Sequence, residues 1–135
     1  MKAWFTSLNV AITLSVIAFI LSISRTFLDF QFVFPETSPS LGMVAIAIGF
    51  YTIVFGGWLW ALLVGVQGRR AGLIAALLFA LLLPFGGGIA TLVAFCPTPC
   101  ATAGGLMEIA NWANLITGLL AAVVVGLRLR QTSAE

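Results

Sequence analysis

Residues 84–114 read PFGGGIATLVAFCPTPCATAGGLMEIANWAN, and this stretch decides how the chain folds. It opens with a proline and a glycine triplet inside an apolar run. It then turns around both cysteines and meets an acid, Glu108, followed by two asparagines. On either side the sequence is almost pure hydrocarbon. Proline removes a backbone donor and clashes with the preceding helical turn, so the first part reads as a helix kinked near residues 80–84. CPTPCATAGG reads as a tight outer turn, and the last helix is expected from residue 105.

Composition sets the solvent. The chain has 135 residues, 61% hydrophobic and 7% charged, with a mean hydropathy of +1.18. Soluble domains carry about a quarter charged residues, so a water-facing surface is not available and the solvent must be lipid. Spanning helices need about 20 apolar residues each, which leaves room for about four or five spans and no sizeable soluble domain. The expected fold is therefore a single all-α membrane domain over residues 1–135: a bundle of four transmembrane helices at residues 4–24, 41–66, 71–95 and 105–127, with outer loops at 25–40 and 96–104.

Working back from the kink, the third segment shows small residues at Gly86, Ala90 and Ala94 beside the gap left by Gly86, Gly87 and Gly88. Such a gap admits a close neighbour or a bulky ring; a broken helix opening a substrate or ion site is the sharper reading. The turn QGRR before it is so short that segments two and three must form an antiparallel hairpin. Segment two carries Gly42, Ala45, Gly49, Thr52 and Gly56 at alternating steps of three and four, and a second row at Gly57, Ala61 and Gly65. In lipid, such rows are where helices approach closely. Trp58 and Trp60 lie within the same span on different faces.

Segment one has its own small face, Ser7, Ala11, Ser15, Ala18 and Ser22, with Asn9 and Thr13 expected to hydrogen-bond between helices. Its apolar run exceeds a signal-peptide core, so a retained helix is expected. Arg25 and Asp29 stand one turn apart and are able to pair. The phenylalanines at 27, 30, 32 and 34 suit a helix or a strand equally, and either way lie at an interface. Pro35 and Pro39 then stop regular structure.

Segment four carries the longest ladder of small residues, Ala110, Asn114, Gly118, Ala122 and Gly126. Glu108, Asn111 and Asn114 follow one side of it at steps of three. An acid within a span is a functional candidate by default, so these three form the candidate proton or ion site. Against that, Glu108 is expected in the first helical turn, where a carboxylate meets orphan amides and the positive helix end.

Charge placement gives orientation. Lys2, Arg69, Arg70, Arg128 and Arg130 fall on one side of a four-span arrangement and only Arg25 on the other. Basic residues favour the cytoplasmic side, so both termini are expected there, with the cysteine loop extracytoplasmic across a bacterial inner (plasma) membrane. An oxidising compartment favours a Cys96–Cys100 disulfide. A thiol-disulfide enzyme is a weak third reading, because these cysteines stand as C-x3-C without further cysteines.

The absence of histidine removes His-ligated haem or chlorophyll and His acid–base catalysis from this chain alone. Two cysteines without histidine do not complete a zinc site, no metal site is expected, and no basic cluster suits nucleic acid. The chain is therefore expected to be a non-catalytic integral subunit that scaffolds or borders a larger membrane complex, an electron-transfer or photosynthetic assembly being one such. It would have no cofactor of its own. Trp58, Trp60, Phe79, Phe85 and the Gly86, Gly87, Gly88 gap would touch bound lipid, quinone, carotenoid or chlorophyll. The alternative is a small oligomeric proton-coupled transporter or channel that uses Glu108.

Overall fold

The computed structural model describes the backbone of residues 7–32, 40–86 and 99–132, and their side chains except at 29–32 and 99–107. Among the described residues there are helices and no strands. In chain order they are α1 (Leu8–Phe32), α2 (Leu41–Val66), α3 (Arg70–Ala80), a π-helical turn continuing α3 (Leu81–Gly86), and α4 (Pro99–Thr132). Stretches of α1, α2 and α4 are long and apolar enough to cross a membrane.

The boundaries follow local chemistry. Serine caps are favoured because the hydroxyl accepts from an orphan amide, and the Ser40 hydroxyl accepts from the Met43 amide at 3.3 Å to start α2 where expected. At its far end Gly68 takes φ +73°, a left-handed conformation that glycine adopts without penalty, and the chain reverses into α3.

Two boundaries differ from the sequence reading. Helix α1 continues through residues 25–32, expected to be loop, because nothing before Pro35 breaks it. Hydroxyls at Ser24 and Thr26 donate to the Ile20 and Ser22 carbonyls at 2.9 Å, within the same helix. Helix α4 starts at Pro99 rather than residue 105. Proline is favoured at the first helical position, where its missing N–H would be an orphan anyway. Glu108 is consequently nine residues into α4, about two and a half turns, and not in the first turn.

From Leu81, three residues before Pro84, the α-helical ladder gives way to a wider π turn that contains the proline. The expected disruption of the helix is present, and its cause is the lost proline N–H.

The helices pack in chain order around a ring: α1 beside α2, α2 beside α3, α3 and the π turn beside α4, and α4 closing extensively onto α1. Glycines set the close approaches. A Cβ on Gly72 would lie 2.6 Å from the Val64 carbonyl carbon and collide with the Gly65 amide, so the α2–α3 hairpin crosses backbone on backbone there. A Cβ on Gly118 would lie 2.6 Å from Pro84 Cγ, so α4 is notched to receive the proline.

The core is mostly alanine: Ala18, Ala61, Ala76, Ala80, Ala121 and Ala122 surround Trp58, the largest fully buried side chain. The indole stacks on Phe79 (6.1 Å between centroids, 12°) and receives Phe19 edge-on at 5.3 Å. Small neighbours are what let one large aromatic fill the centre at crystal-like density.

Candidate functional site

Among the described residues four polar side chains lie buried in the bundle, and all are on the α1–α4 seam: Ser15, Ser22, Asn111 and Asn114. Burying a polar group without a partner costs about 1–3 kcal/mol, and the seam supplies partners. The Ser15 hydroxyl donates to the Ala11 carbonyl at 2.9 Å. The Ser22 hydroxyl donates to Asn114 Oδ1 at 2.9 Å, tying α1 to α4. The contact exists because both residues belong to the small-residue faces of their helices, which bring the backbones close.

Beside this bond is a cavity of about 230 Å³. Its polar end is built by Ser22, Arg25 and Thr26 of α1 with Asn114 of α4. Phe50, Tyr51 and Phe55 of α2 form one wall, and Leu82 and Leu83 of the π turn form the opposite one. Tyr51 and Phe55 stack at 6.0 Å and 20°, while Phe50 meets Tyr51 edge-on at 5.6 Å.

The cavity arises from the glycine contacts. At one end the hairpin is pinned where Gly72 meets Gly65. At the other, Pro84 sits in the notch over Gly118 and commits the π turn to α4. The first part of α2 is thus left standing apart from the π turn.

The structure distributes the residues singled out in the sequence as follows. Asn111 and Asn114 are buried, whereas Glu108 is exposed, so the three do not converge. Asn9 and Thr13, expected to bond between helices, are exposed on the face of α1 opposite its buried serines and alanines. Trp58 and Phe79 are engaged with each other, Trp60 is 56% exposed, and Phe85 is half-buried behind Pro84. Gly86 ends the π turn; Gly87, Gly88 and Cys96 lie outside the described residues, as does the side chain of Cys100.

The helix-packing rows also separate. Ala110, Gly118 and Ala122 of α4 turn toward the bundle, Gly118 and Ala122 being buried, whereas a Cβ on Gly126 would meet nothing within 4 Å. The Gly57, Ala61 and Gly65 row of α2 packs inward as well. Gly42, Ala45, Gly49, Thr52 and Gly56 are all exposed, and a Cβ on Gly49 or Gly56 would meet nothing within 4 Å.

Sequence reasoning missed Arg25, Tyr51 and Phe55 as members of a site. The available signal was that Arg25 is the single basic residue on its side of the expected topology. Among the described residues no three His, Cys, Asp or Glu side chains come together. No protein-family model matches this chain, and neither does a curated protein or a solved structure.

Proposed function

We propose that the chain is a four-span integral protein of a bacterial inner membrane, with both termini cytoplasmic, and that it serves as a non-catalytic subunit bordering a larger membrane complex. The exposed surface supports the membrane part of this reading. Leu41, Ile46 and Ile53 are each about three-quarters exposed or more, and leaving such a side chain in water forgoes about 1.5–3 kcal/mol. Residues 70–86 cover about 25 Å at 1.5 Å per residue, most of a hydrocarbon layer about 30 Å thick.

The observation that carries the subunit reading is the outward row on α2. Every buried residue of that helix lies between Trp58 and Gly65; of the preceding part, Phe55 meets Phe19 of α1 edge-on at 5.8 Å while the glycine row faces away. A lipid-facing surface has no need of small residues; close approach of another helix does. Gly42, Ala45, Gly49, Thr52 and Gly56 offer that approach along about 20 Å of helix. A pigment or quinone of the complex would then meet the exposed Trp60 rather than the enclosed Trp58.

The test is a Gly49→Leu/Gly56→Leu double variant expressed in the native membrane. The wild type should migrate on a native gel with other subunits, well above its 14.2 kDa mass. The variant should keep its own melting temperature and migrate alone, since among the described residues nothing stands within 4 Å of a Cβ at either site. Co-migration of the variant with the same subunits would sink the reading. The transporter alternative needs Glu108 to act from an exposed position, across an interface between copies, and predicts loss of proton-coupled uptake in Glu108→Gln.

A further inference from the structure

The cavity between α1, α2, the π turn and α4 has a use that a packing subunit does not require. Arg25 and Tyr51 line it but are engaged with partners of their own, so they serve as wall. The polar groups that remain are neutral: Ser22, Thr26 and Asn114. The hydroxyl protons of Ser22 and Thr26 are committed, to Asn114 Oδ1 and to the Ser22 carbonyl, which leaves their oxygens as acceptors. Asn114 supplies the donor. Its Oδ1 is taken by Ser22, its amide nitrogen carries two N–H groups, and among the described residues no hydrogen bond uses them. The side chain is 1% exposed and so held in place from within the core. A donor beside acceptors matches a group that both accepts and donates. A hydroxyl does both, whereas a bound carboxylate or phosphate would meet two oxygens with no proton left to give.

The rest of the lining is apolar and suits a ring. Phe50, Tyr51 and Phe55 form an aromatic wall, joined by ring contacts of 5.6 and 6.0 Å between centroids, and Leu82 and Leu83 face it. Aromatic side chains take a further ring offset or edge-on, with centroids about 4.5–7 Å apart. The volume of about 230 Å³ exceeds the ~150 Å³ that accepts one benzene ring and falls short of the ~300 Å³ of the smallest drug-sized pockets. The space therefore encloses one ring, and anything attached to it must leave through the mouth between α2 and the π turn. Phe50 and Leu82 stand at that mouth, 59% and 69% exposed on the outer surface of the bundle.

We propose that this cavity binds the hydroxylated ring of a neutral membrane amphiphile, with the Asn114 amide donating to the ligand hydroxyl, the Ser22 or Thr26 oxygen accepting its proton, and the apolar chain leaving between Phe50 and Leu82. The inference rests on the membrane reading above and not on the subunit reading, since the ligand enters from the lipid side of the π turn.

The test uses the full chain, first in carbonate-washed membranes and then in detergent by titration calorimetry, with empty micelles as the blank. The probes are 4-octylphenol, octylbenzene and octanoate, added separately. Wild type should bind one octylphenol per chain, about tenfold more tightly than octylbenzene, the scale of one or two hydrogen bonds. Asn114→Leu/Ser22→Ala removes the donor and one acceptor together and should bind the two equally. Leu82→Trp, at an exposed position, should remove saturable binding of both by blocking the mouth without unfolding the bundle, and decides the matter if the double variant fails to fold.

Equal binding of octylphenol and octylbenzene by wild type overturns the proposal. So does a preference for octylphenol that survives in the double variant, or octylphenol bound as tightly by Leu82→Trp as by wild type. Tighter binding of octanoate would assign the cavity to an anion, and heat no different from empty micelles would leave it to water; either overturns the proposal. A chain stripped from membranes by carbonate fails the membrane reading instead, whereas a retained chain that gives any of these results fails this inference alone.

Discussion

Substituting Gly118 by alanine measures the fit between the proline turn and α4. The added Cβ would lie 2.6 and 2.7 Å from two Pro84 ring carbons and 3.1 Å from the Phe85 amide nitrogen. Carbon atoms settle at about 3.5–4.0 Å, so the π turn must retreat by about 1 Å. The neighbour is a ring fused to backbone and cannot swing away like the end of a long side chain. Overpacking of this kind typically costs about 1–3 kcal/mol. Alanine also gains up to about 1 kcal/mol of helix propensity over glycine, which hides part of the clash.

Gly126 of the same helix provides the reference. A Cβ there meets nothing within 4 Å, so Gly126→Ala receives the propensity gain alone. The expected result is that Gly118→Ala unfolds more easily than Gly126→Ala by about 1–3 kcal/mol in reversible denaturation from detergent micelles. Adding Pro84→Ala to Gly118→Ala should recover part of the difference, because the two positions touch and their effects are coupled. Equal stability of Gly118→Ala and Gly126→Ala would refute the notch and, with it, the stated origin of the cavity.

Other substitutions test the interior. Asn114→Leu should destabilise by about 1–3 kcal/mol by leaving the buried Ser22 hydroxyl without its acceptor, and adding Ser22→Ala should recover most of that; the double-variant cycle in the same assay checks it. Trp58→Ala should cost about 3–5 kcal/mol by emptying the centre of the alanine core. Trp58→Phe should cost far less, because the indole N–H is buried without an acceptor and its removal relieves that debt of solvation; thermal melts of the pair compare them. Glu108→Gln should leave the melting temperature within the range of exposed substitutions, about 0.5 kcal/mol, whatever it does to transport.

The parts of the architecture legible in sequence were those that depend on one helix at a time. Pro39 and Ser40 before α2 and the short turn after it fixed that helix to the residue. Small faces on α1 and α4 read from their spacing are the faces that pack. Spacing names a face but not its occupant, which is why an equally regular row on α2 is free while the row beside it is buried. The start of α4 was obscured because proline stops a helix in its interior yet favours its first position. The cavity was the least legible feature. It draws on residues near 25, 51, 82 and 114, which only the proline notch and the glycine crossing bring around one space.

The hairpin crossing at Gly65 and Gly72 makes α2 a lever pinned at one end. Phe50 is fifteen residues from the pin, about 22 Å along the axis. A tilt of about 5° there, small beside the scatter of helix crossing angles, moves Phe50 by about 2 Å and changes the width of the cavity mouth. A helix seated on the outer glycine row presses on the same lever from the other side. Occupancy of the interior and engagement of the exterior are then linked through one rigid body, and each would shift the other by the same free energy.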